Sequence, residues 1–217
     1  MGKQADEPHL NEDAYKVSGG AFAISDGASE SFASGPWARL LVGRFVKNPA
    51  VDADWLADAV ADYQSSFDRQ SMSWSAQAAF DRGSFATLLG VQIASNGVSL
   101  LGIGDSLAVL DNGEAVLETF PYEEAEQFRS NPLLLSTIAS KNEGILEGDL
   151  RAHWEIESGQ TLFCMTDALG AWLLTDRHQR MAELRALRER KHFVALVENA
   201  RAAGTMRRDD TTLLVIG

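Results

Sequence analysis

The chain has 217 residues, 45% of them hydrophobic and 23% charged, which suits one domain with a real core and rules out a disordered segment. Acidic residues outnumber basic ones by 31 to 19, and the net charge of −12 argues against nucleic acid or an anionic membrane as partner, since both demand a cationic surface. One cysteine, Cys164, no apolar leader and no apolar run of about 20 residues set the expectation of a cytoplasmic protein without a disulfide or a membrane span.

Residues Ala21 to Ile24 form a short apolar run between Gly19-Gly20 and Asp26-Gly27, which reads as a buried strand. Ala38, Leu41, Val42 and Phe45 recur at i, i+3, i+4 and i+7, predicting an amphipathic helix that Pro36 helps to start. Leu56, Ala59, Val60, Tyr63 and Phe67 predict a second, longer helix. From Ser84 to Thr119 the pattern is a meander of strands, with Asn96-Gly97 and Asn112-Gly113 expected to form type I′ hairpin turns. Pro121, Pro132 and Gly144 interrupt residues 120 to 149, which read as a variable segment and a candidate flap. Strand character returns at Thr161 to Thr166. Met181, Leu184 and Leu187 mark one helix; Phe193, Leu196, Val197 and Ala200 mark another that Gly204 stops. Thr212 to Ile216 closes the chain as a strand. The five tryptophans, Trp37, Trp55, Trp74, Trp154 and Trp172, are expected to serve packing.

Carboxylates fall at or beside strand ends: Glu12-Asp13, Asp26, Asp105, Asp167 and Asp209-Asp210. Three of them directly follow apolar segments, in AFAISD, LLGIGD and TLFCMTD. A carboxylate at the edge of a core is costly without a partner, and nearby lysines and arginines are too few to pair them all. Hard divalent cations, Mg²⁺ or Mn²⁺, would meet that need through oxygen ligands alone. Singly, each motif favours a plain turn, a solvated loop or a strand lead-in; their ordered combination points to chemistry. Other chemistries fail on inspection. Gly102 to Leu107 lacks the third glycine of a dinucleotide loop, and Gly27 to Ser31 lacks the last glycine of a nucleophile elbow. His9, His153, His178 and His192 are scattered, and Cys164 lies within an apolar strand as an inert thiol.

Six stretches in order, LNEDA (Leu10 to Ala14), FAISDGAS (Phe22 to Ser29), GSFATLL (Gly83 to Leu89), GIGDSLAVL (Gly102 to Leu110), TDALG (Thr166 to Gly170) and RDDTTLLVI (Arg208 to Ile216), resemble the protein phosphatase 2C family of metal-dependent serine/threonine phosphatases. The resemblance implies one α+β domain over residues 1–217, a four-layer αββα sandwich of two antiparallel β-sheets flanked by helices. It implies a centre of two Mg²⁺ or Mn²⁺ ions, with a third, weaker one at Asp105. Asp13, Asp26, the carbonyl of Gly27, Asp167 and Asp209 would be ligands, Glu12 would act through water, and Asp210 would stand behind them. The chain departs from the family at Pro8, where many members carry a phosphate-clamping arginine, and at Ala28, where some carry a histidine. His9, Arg207 and Arg208 are the candidate replacements.

The function implied is hydrolysis of phosphoserine or phosphothreonine in proteins by a metal-activated water, with no covalent phosphoenzyme. Its partners would be a phosphorylated protein and a cognate kinase in a signalling circuit. The alternative is a non-catalytic phosphatase-like module that binds a phosphoprotein or signalling partner. A phosphatase for small phosphorylated metabolites is a third reading.

Overall fold

Alternation along the strands builds the molecule. In Ala21–Ser25 (β2), Phe22 and Ile24 point into one core while Ala21 and Ala23 point into another. A strand whose side chains alternate between two buried faces must lie between layers. The computed structural model describes residues 1–3, 11–147 and 151–217. Two antiparallel sheets dominate it. The first runs in the order β1 (Ala14–Ser18), β2, β4 (Leu88–Ala94), β5 (Gly97–Ile103), β9 (Arg151–Glu155). The second runs β11 (Leu213–Ile216), β10 (Thr161–Met165), β6 (Leu107–Asp111), β7 (Val116–Phe120). A short pair, β3 (Phe85–Ala86) with β8 (Leu135–Ser136), forms a separate two-stranded sheet, bridged through Ala86 to Gly27 just beyond β2.

Three cores stack between the layers. Phe22, Ile24, Leu89, Val91 and Leu100 meet Ala108, Leu110, Leu162 and Cys164 between the sheets. The outer face of the first sheet (Ala23, Leu88, Leu101, Ile103) packs on helices α1 (Ser34–Phe45) and α2 (Ala53–Ser65). The outer face of the second (Leu107, Val109, Phe163, Met165) packs on α4 (Asp167–Thr175), α5 (Arg177–Arg185) and α6 (Arg190–Ala202). The architecture is the expected α+β sandwich of four layers, helix, sheet, sheet, helix. Each large apolar side chain so buried stabilises the fold by roughly 1.5–3 kcal/mol.

Several local expectations need correction. Phe67 lies beyond α2, which ends at Ser65, yet it still packs, edge-on to Phe32 and Phe80. Leu187 likewise falls just outside α5. A helix unpredicted from periodicity, α3 (Trp74–Arg82), follows Ser73, whose hydroxyl accepts from Ala76 N, and it docks by Phe80 alone into that aromatic group. Trp74 opens it at 84% exposure and so does no packing, unlike the other four tryptophans. Both Asn-Gly hairpins form, but not as type I′ turns. Ala94 pairs with Gly97, which leaves Ser95-Asn96 as the two-residue loop, and neither Asn96 nor Asn112 has positive φ. Asn112 instead folds its side chain over the loop, its Oδ1 accepting from Glu114 N (2.9 Å) and Ala115 N (2.7 Å). Among the described residues of this segment, 120–147, two short 3₁₀ turns, Ala125–Arg129 and Ala139–Lys141, lie around β8.

Candidate metal centre

Antiparallel pairing brings strand starts and strand ends to one rim of the sandwich. Ala14 pairs with Ser25, Met165 with Leu213 and with Leu107. Asp13, Asp26, Asp167 and Asp209 are therefore delivered to the same end, with Asp105 beside them in the turn from β5 to β6. Asp26, Gly27, Asp105, Asp167 and Asp209 line a cleft of about 250 Å³ whose other wall is Phe128 to Pro132 and Leu134.

Each acid is held differently. Asp13 Oδ2 accepts from Thr212 Oγ1 (2.7 Å) and Thr166 Oγ1 (3.2 Å), so a residue of the first sheet is tied to the second. Its Oδ1 is buried without a partner. Burial pushes the Asp13 carboxyl up to about 7; the Thr212 hydrogen bond opposes the rise and the Asp210 charge adds to it. Asp26 is fixed by its backbone, its N–H donating to Thr87 Oγ1 (2.9 Å) and its carbonyl accepting from Thr87 N (2.9 Å). Burial, and then the charges of Asp13, Asp209, Asp105 and Asp210, raise its carboxyl well above the usual range. Asp105 is 6% exposed and raised chiefly by burial, with the Arg207 charge opposing. Asp167 opens α4, where the helix dipole favours an anion; one oxygen pairs with Arg207 and the other, Oδ1, is buried and unpartnered. Gly27 admits no side chain: a Cβ there would meet the Ser34 backbone carbon at 2.9 Å and Glu12 O at 3.0 Å.

The remaining candidates divide. Glu12 is paired with Lys3 Nζ (3.1 Å) and accepts from the Ser34 hydroxyl. Asp210 is 2% exposed, and its two oxygens accept from Lys3 N and Glu12 N, both at 2.6 Å, so it fastens backbone beside the cleft. Arg207 lines the cleft, whereas Arg208 is exposed and absent from its lining. His9 and Pro8 lie outside the described residues. Cys164 is buried, and that burial raises its thiol far above the ordinary range. Sequence reasoning missed Arg129, on the far wall, and the hydroxyls of Thr87, Thr166 and Thr212. The three threonines stand inside the matched motifs, where a polar residue within an apolar stretch was the available signal; Arg129 had none.

The donors suit a hard divalent cation: carboxylates, a glycine cradle only backbone can occupy, and two buried oxygens wanting a positive partner. Among the described residues no three His, Cys, Asp or Glu side chains are yet drawn tightly around one point. Like charges at this rim repel, and Arg207 stands between Asp167 and Asp209.

The chain is similar in structure to the Mycobacterium tuberculosis serine/threonine phosphatase PstP/Ppp, with a TM-score of 0.60 and 19% identity over 94% of this chain and 91% of that one. It is similar to the Staphylococcus aureus serine/threonine phosphatase Stp1 (TM-score 0.59, 16% identity, 94% of this chain and 87% of that one). A third is the catalytic domain of PstP in complex with two manganese ions (TM-score 0.57, 17% identity, 94% and 90%). The chain has the protein phosphatase 2C fold. No protein-family model matches the sequence, and no curated protein is significantly similar to it. No helix among the described residues is long and apolar enough to cross a membrane.

Proposed function

We propose that the protein is a Mg²⁺- or Mn²⁺-dependent phosphatase acting on phosphoserine or phosphothreonine in proteins. The observation that carries this reading is the convergence of five carboxylates on one rim, with buried oxygens of Asp13 and Asp167 left unpartnered. Asp13, Asp26, Gly27 O, Asp167 and Asp209 would hold two ions, and Asp105 a third. Bound there, the ions would supply an activated water and neutralise phosphoryl oxygens.

The chain's own residues do the rest. Thr166 and Thr212 orient Asp13, and Thr87 fixes the backbone of Asp26, so the donors are set before substrate arrives. Lys3 and Ser34 hold the Glu12 carboxylate, which would take a proton from water. With proline at position 8, the phosphate would take its positive partner elsewhere; Arg207 and Arg129 both line the cleft and are the candidates, whereas Arg208 lies outside its lining. Residues 128–134 would contact the peptide around the phosphorylated residue, as a flap would. The chain would then act opposite a cognate kinase in a cytoplasmic signalling circuit.

The test is hydrolysis of p-nitrophenyl phosphate and a phosphothreonine peptide with Mn²⁺, in parallel with chelator and with Asp26→Ala. Metal-dependent turnover that falls at least about 100-fold in Asp26→Ala is expected. Peptide binding without turnover under any divalent ion would favour the non-catalytic module, a reading to which the ion pair of Arg207 with Asp167 lends weight.

A further inference from the structure

Arg207 enters the cleft from the loop that leads into β11. Its guanidinium is paired with Asp167 Oδ2, and its Nε stands 3.8 Å from Asp209 Oδ2. Its positive charge also reaches Asp105. The two sides of this contact differ in freedom. The Asp167 side chain is 12% exposed and anchored at the start of a helix, whereas that of Arg207 is 46% exposed and lies in a loop. Only the arginine can leave. Its neighbour Arg208 shares the charge and the exposure but lies outside the cleft lining, so proximity in sequence alone does not produce the contact.

We infer that Arg207 is a resident cation of this centre, a positioning residue that competes with divalent metal for Asp167 and Asp209. This rests on reading the carboxylates as metal ligands. A guanidinium brings one positive charge to two carboxylates and leaves Asp167 Oδ1 without a partner. A divalent ion brings two charges at ligand distances a guanidinium cannot match. Asp167 would therefore pass to a divalent ion when one is bound, and the displaced arginine would remain in the lining of the same cleft, available to an anionic substrate. One side chain thus keeps the acids apart and paired before metal binds, then serves the anionic substrate afterwards. The coupling has a direct consequence: Arg207 weakens metal binding while it strengthens phosphate binding.

Calorimetric titration of Mn²⁺ into the full chain and into Arg207→Ala, Arg207→Gln, Arg207→Lys and Arg208→Ala separates the outcomes. Arg207→Ala and Arg207→Gln should bind Mn²⁺ about two- to fivefold more tightly than the parent, the size set by losing one partly exposed ion pair. Arg208→Ala should match the parent, and Arg207→Lys should restore most of the competition. Phosphate should show the reverse order, binding the metal-loaded Arg207→Ala protein more weakly. Unchanged or weaker Mn²⁺ affinity in both Arg207→Ala and Arg207→Gln would overturn the inference and leave the metal centre standing. No Mn²⁺ binding by any of the proteins would overturn the metal centre itself.

Discussion

Asp210 shows how one atom's difference is used. Asparagine here would offer a single acceptor oxygen; the aspartate has two, and both accept backbone N–H groups at 2.6 Å. Asp210→Ala should cost about 2 kcal/mol in urea denaturation, and Asp210→Asn about half of that, because one N–H would then face an amide donor. Asp26 is the opposite case, a buried carboxylate that four other acids repel. In chelator, Asp26→Asn should raise the melting temperature by a few degrees, about 2–4 °C per kcal/mol in a chain of this size, while abolishing Mn²⁺ stabilisation. A fall in melting temperature would contradict the repulsion. Asp26, Asp105 and Asp167 were legible in the sequence because a charge at the end of an apolar run is conspicuous; Glu12, Asp13, Asp209 and Asp210 were legible only through the ordered motifs. What each acid touches was not: the resemblance set Asp210 behind Asp209, and only the loop geometry shows its two oxygens taking the backbone N–H groups of Lys3 and Glu12.

Gly90 on β4 shows what the close approach of α1 to its sheet demands. A Cβ there would stand 2.3 Å from the Phe45 ring, so Gly90→Ala should displace the ring and cost about 1–3 kcal/mol in chemical denaturation. A neutral result would mean that α1 rides higher on the sheet than described. The periodic helices α1, α2 and α6 were readable because each has one apolar face and one wet one. α4 escaped for the reverse reason: Ala168, Leu169, Gly170, Trp172, Leu173 and Leu174 are all buried, so no stripe stands out. α3 escaped because none of its residues is fully buried. The hairpins were found by Asn-Gly, but their turn type depended on register, which local sequence did not fix. In β9, alternation rests on Ala152 and Trp154 alone, too little to distinguish an edge strand from a loop.

The net charge of −12 now divides by location. Asp13, Asp26, Asp105, Asp167 and Asp209 concentrate at one rim, Glu12 and Asp210 are engaged beside it, and the rest of the excess is spread elsewhere. Three rim carboxyls have raised values in the folded chain, so the native state binds more protons than the unfolded chain above pH 4. The sign follows: metal-free stability should fall as pH rises from about 4 to about 7, the Asp13 value, and excess Mn²⁺ should remove that fall because ligation favours the ionised acids. Thermal melts across pH with chelator and with Mn²⁺ would show it, and a metal-free protein most stable at neutral pH would argue against the clustered charge. The most direct measurement is anomalous scattering from Mn²⁺-soaked crystals. The account predicts two strong peaks among Asp13, Asp26, the carbonyl of Gly27, Asp167 and Asp209, with the Arg207 guanidinium withdrawn from Asp167. A map with no peak at this rim, and Arg207 still paired, would contradict it.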